Sequence, residues 1–179
     1  AATGSTPTAT GSFTADTTAP TATITDNAAG TATGAVTFTY TFAEAVTGFD
    51  TSKVTATGGT KGTFTAVSST VYTLVVTPTA NSTASIVLAT STTGVTDAAG
   101  NVATAPANYS QVVDTVAPTL QGVTGNLSGV MMSGYGRNAN LKADEFVYVT
   151  LDFSEAVTID SNVRLRLDMG GSTVEASYD

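Results

Sequence analysis

The chain has 179 residues with no Cys, His or Trp, 14 acidic against 6 basic side chains, and a formal net charge of −8. Those three zeros exclude a disulfide framework, a Cys/His zinc site and any Ser-His-Asp or Cys-His catalytic machine; the few scattered bases suit neither nucleic acid nor an anionic membrane, and no apolar run approaches the ~18 residues that membrane insertion needs. Charged residues are only 11% while about one residue in five is Thr, so the surface is hydroxyl-rich, and 41% hydrophobic residues suffice for a packed core.

In chain order, residues 1–15 read as the tail of a preceding repeat or linker, or as a donor strand through Gly11-Ser12-Phe13-Thr14-Ala15. Period-two alternation of apolar and polar residues then predicts strands at 21–25, 36–42, 53–57, 62–67, 71–77, 85–89 and 109–114. In the clearest of them Val36, Phe38, Tyr40 and Phe42 share one face and Thr37, Thr39 and Thr41 the other. Turn signals separate the strands, among them Asp26-Asn27-Ala28-Ala29-Gly30, Thr57-Gly58-Gly59-Thr60 and Asp97-Ala98-Ala99-Gly100-Asn101. Val147, Val149, Leu151 and Phe153 repeat the alternation further on. No stretch reads as a helix of useful length, because Thr, Val and Gly are poor interior helix residues. The expected fold class is all-β, built of tandem immunoglobulin-like β-sandwich domains.

The chain also repeats itself. Asp16-Thr17-Thr18-Ala19-Pro20-Thr21 returns as Asp114-Thr115-Val116-Ala117-Pro118-Thr119, an offset of 98 residues from position 16 to position 114. Phe42-Ala43-Glu44-Ala45-Val46-Thr47 returns as Phe153-Ser154-Glu155-Ala156-Val157-Thr158, an offset of 111 residues from position 42 to position 153. The surplus falls on a Gly-punctuated stretch around residues 130–138, expected to be an inserted loop or hairpin. The expected domains are a complete one at 16–113 and the N-terminal part of a second, longer one at 114–179, incomplete in this chain. The whole reads as an internal piece of something longer, and open strand edges in the second domain would be covered by further chain or by a neighbour.

In a seven-strand antiparallel sandwich the linker into the first strand, the second-to-third loop and the sixth-to-seventh loop all lie at one pole. That parity places Asp16, Glu44, Asp50 and Asp97, four of the five acids of the first domain, together with Asn101. Like charges gathered without a base are unfavourable, and a hard cation would resolve the conflict; Ca²⁺, with its 6 to 8 oxygen ligands and tolerant geometry, suits this inventory better than Mg²⁺. The alternative is that Asp97 and Asn101 serve only as local turn caps and Glu44 as a solvated acid.

Three motifs in order, Asp-Thr-Thr-Ala-Pro at 16–20, Phe-Ala-Glu-Ala-Val-Thr-Gly-Phe at 42–49 and Asp-Ala-Ala-Gly-Asn at 97–101, resemble the bacterial Ig-like repeats of giant secreted adhesins, the biofilm and RTX-type adhesins exported by type I secretion. The resemblance implies a non-enzymatic extender at the bacterial cell surface, whose partners are neighbouring repeats of the same chain, with calcium stiffening the joints. It implies Asp16, Glu44, Asp97 and Asn101 as ligands at the first joint, and Asp114 with Glu155 at the next. The rival expectation is a subunit of a polymeric surface layer, sheath or pilus-like fibre, joined to other copies by strand addition. A glycosidase would rest on carboxylate pairs such as Glu44 with Asp50 or Asp144 with Glu145, supported by residue type alone. Thr rows such as Thr37, Thr39 and Thr41 suggest an ice- or glycan-binding face, but a flat ice-binding array normally needs a short solenoid repeat, and the β propensity of Thr on the solvent side of strands is the favoured explanation.

Overall fold

The computed structural model describes residues 15–127, 130–132, 147–159, 164–168 and 173–177, and the chain divides into two compact units, Ala1–Val116 and Ala117–Asp179. The first unit contains β1 (Ala22–Asp26), β2 (Val36–Phe42), β3 (Val54–Thr57), β4 (Gly59–Ala66), β5 (Val71–Pro78), β6 (Ile86–Thr90) and β7 (Tyr109–Gln111). Alternation drives burial as the sequence predicts: Val36, Phe38, Tyr40 and Phe42 of β2 and Tyr72, Leu74 and Val76 of β5 are buried, while their Thr neighbours face outward.

Every strand pairing in this unit is antiparallel, with one sheet ordered β1-β2-β5-β4 and the other β3-β6-β7. Lettered in chain order these sheets are A-B-E-D and C-F-G, the immunoglobulin constant-type sandwich. Phe38, Tyr40 and Leu74 from one sheet and Ile86 and Leu88 from the other are withdrawn from water in one common core. Each such side chain stabilises the fold by about 1.5–3 kcal/mol relative to exposure.

Two strands depart from their expected bounds. β7 stops at Gln111 because Val113 pairs in parallel with Ala32 instead of continuing the β6 ladder. β4 starts at Gly59 and carries a bulge between Lys61 and Phe64, which bends this edge strand away from further pairing. The amides of Asp114 and Thr115 donate to Ala32 O and Ser82 O at 2.9 and 3.0 Å, so the first unit holds the chain as far as Val116.

In the second unit β8 (Leu120–Leu127), β9 (Val130–Met132) and β10 (Val147–Phe153) form a sheet ordered β10-β8-β9, and β11 (Arg164–Asp168) pairs with β12 (Thr173–Ser177). β10 is the strand expected from Val147 to Phe153. Residues 1–14, with most of the expected donor strand, and 133–146, with Asp144 and Glu145, lie outside the described residues.

Candidate metal centre

β1 begins where β2 ends, with Ala22 opposite Phe42, and β3 begins where β6 ends, with Val54 opposite Thr90. The linker before β1, the β2–β3 loop and the β6–β7 connection therefore meet, and backbone hydrogen bonds stitch them together. Ala43 N donates to Thr21 O at 2.9 Å, Thr104 N to Pro20 O at 2.8 Å, and Thr47 and Thr96 exchange bonds of 2.8 and 3.2 Å.

Each loop is anchored on the core. In the β2–β3 loop Val46 and Phe49 are buried, and the Phe49 ring lies 5.1 Å from those of Phe42 and Tyr72. The Tyr72 hydroxyl donates to Val46 O at 3.1 Å, which fixes the stretch that carries Glu44. In the β6–β7 connection Val95 and Ala103 are buried and joined by Ala103 N to Val95 O at 2.9 Å, so the turn between them projects Asp97. Gly48, at φ +79°, lets the two loops touch, since a Cβ there would collide with Gly94 O.

Asp16, Glu44 and Asp97 each bring one carboxylate oxygen to the same place, all within 4.8 Å of one another. Asp97 is buried, Glu44 half-buried and Asp16 exposed. Partial withdrawal from water, then the charges of Asp16 and Asp97, push the Glu44 carboxyl above the ordinary glutamate range. Burial also pushes Asp97 upward, but the Asn101 side chain and the Asn101, Gly100 and Ala99 amides outweigh it, and the net position is lowered. Neither nearby base answers the charge: Lys53 Nζ donates to Thr93 O at 2.8 Å, and Lys61 Nζ to Thr51 O at 2.8 Å and Val54 O at 2.6 Å.

This donor set fits a hard cation. Two oxygens on opposite sides of one Ca²⁺ stand about 5 Å apart, so carboxylates this close can share a single ion. The remaining expected residues are placed differently. Asp50 caps the short 3-10 turn Thr51–Lys53, accepting from Ser52 N at 2.7 Å, so three rather than four acids of the first domain gather. Asn101 contributes donors: its side-chain Nδ2 bonds Asp97 Oδ2 at 2.8 Å and Asp16 O at 3.1 Å, and its backbone N bonds Asp97 Oδ1 at 2.8 Å. Asp114, in the first unit, accepts from Val116 N at 3.0 Å, repeating the turn in which Asp16 accepts from Thr18 N at 2.9 Å. Glu155 is an exposed side chain of the second unit.

Topology and loops together point to a recognisable family. The family model described as bacterial Ig-like domain matches residues 16–126, more than half of the chain and beginning at the first carboxylate of the cluster. No curated protein and no solved structure matches the chain. Domains of this family are commonly found in extracellular or surface proteins and are typically structural rather than enzymatic. The chain belongs to the bacterial Ig-like domain family.

Proposed function

We propose that the chain is an extender segment of a bacterial cell-surface adhesin, whose joint before the first domain is stiffened by calcium held by Asp16, Glu44 and Asp97. The observation that supports this reading is the convergence of the three carboxylates from linker and loops, with both nearby lysines committed to carbonyls. A bound Ca²⁺ would supply positive charge and a bridge between linker and both loops. Asp16 fixes the linker to the site, Glu44 brings in the β2–β3 loop and Asp97 brings in the turn of the β6–β7 connection. By correspondence in the repeat, Asp114 is proposed to be a linker carboxylate of the same kind as Asp16, and Glu155 a loop carboxylate of the same kind as Glu44.

Extracellular calcium modules bind at ~0.1–1 mM, so such a joint is filled outside the cell and empty in cytosol. This suits a chain whose joint gains stability, and which supports adhesion and biofilm, once outside. The test is to measure the melting temperature of the full chain in excess calcium and in chelator. Calcium is expected to raise it; a melting temperature unmoved by calcium would overturn the proposal.

A further inference from the structure

The two hydrogens on Asn101 Nδ2 go to two different places, Asp97 Oδ2 at 2.8 Å and the carbonyl oxygen of Asp16 at 3.1 Å. Both partners are acceptors only, so the nitrogen of the amide must face them and its oxygen must turn away. The linker that follows is gripped twice more, by Thr104 N on Pro20 O and by Ala43 N on Thr21 O, and Pro20 is fully buried. None of these contacts requires a cation.

We propose, resting on the cation reading above for the role of Asp97, that Asn101 is a positioning residue and a metal-independent latch. It docks the linker against the β6–β7 connection and aligns Asp97 before any ion arrives. The joint is then preformed, and calcium stiffens it by neutralising three carboxylates already in place rather than by ordering a loose linker. Asn101 is in this account no ligand, because its side-chain nitrogen occupies the positions facing the cluster.

The chain has no Cys, so Thr17→Cys, at an exposed linker position, gives a unique site for a nitroxide label. The label is expected to be immobile in chelator and in calcium when Asn101 is present. Asn101→Ala should release it in chelator and speed exchange of the Thr104 amide roughly tenfold, about the effect of one lost hydrogen bond. Asn101→Asp, nearly isosteric but without the donor, should release it in chelator and recover it in calcium, since the new carboxylate can then share the ion. This second variant also serves if Asn101→Ala melts without a cooperative transition. A label that is mobile in chelator with Asn101 present and immobile in calcium would overturn the latch, because the cation would then be docking the linker. So would an Asn101→Ala chain as immobile as its parent. If the parent and Asn101→Ala follow the latch pattern while melting temperature ignores calcium and Asn101→Asp stays mobile in it, the latch stands and the calcium reading fails.

Discussion

Replacing Glu44 by Gln separates the two roles of that carboxylate. Partly withdrawn from water and facing Asp16 and Asp97, its carboxyl sits above the ordinary glutamate range. A carboxyl raised in this way holds its proton more tightly in the folded than in the unfolded chain. Its contribution to stability is full below the unfolded value, ~4.3, and is lost as pH rises through the raised folded value. In chelator at neutral pH, Glu44→Gln therefore melts higher than the parent, and the difference closes as pH falls through the raised folded value and is gone below about 4.3. In calcium the order reverses. With an affinity of ~0.1–1 mM, about 10 mM calcium stabilises the parent domain by ~1.4–2.7 kcal/mol. At 4–8 °C per kcal/mol for a domain near 100 residues, the rise in Tm is about 6–22 °C. Glu44→Gln should lose most of that rise. Thermal unfolding followed by circular dichroism, with and without calcium across pH 3 to 8, reads all of this. A variant that melts lower than the parent in chelator at neutral pH, or gains as much from calcium, would refute the reasoning.

Asp97→Asn should behave in the opposite sense in chelator. Its lowered carboxyl contributes stability above the unfolded aspartate value, ~3.9, that is lost as pH falls through the folded value, so the variant melts lower at neutral pH and converges with the parent in acid. Gly48→Ala forces a side chain into φ +79° against Gly94 O; the left-handed backbone alone costs about 1–2 kcal/mol, and urea unfolding should show at least that together with weaker calcium binding by titration calorimetry. Leu74→Ala, at a fully buried position of β5, should lower unfolding free energy in urea by about 2–5 kcal/mol while calcium still raises the remaining stability.

Strand positions were legible because one face of each strand is apolar and the other is mostly Thr; the 36–42 and 71–77 runs needed no tertiary information beyond that. The ends of strands were less so. The pairing of Val113 with Ala32 depends on a segment 81 residues away, and nothing in Tyr109–Asp114 itself signals that the chain leaves the ladder after Gln111. At the candidate site, alternation of strand direction sufficed to gather Asp16, Glu44 and Asp97 from distant sequence positions. Asp50 escaped that logic because the Ser52 amide two residues on offers a local partner, and the side chain caps its own turn. Asn101 shows the same limit at finer grain. An amide presents an oxygen or a nitrogen, and only the positions of the Asp16 carbonyl and the Asp97 carboxylate decide that the nitrogen faces inward.

Everything proposed for the joint depends on Asp16, Glu44 and Asp97 holding one calcium ion. A crystal structure grown in saturating calcium, with anomalous differences collected, tests it most directly. An anomalous peak is expected with an oxygen of each of the three carboxylates at about 2.3–2.6 Å. Density there that refines as water, with no anomalous signal and the three side chains turned apart, would contradict it.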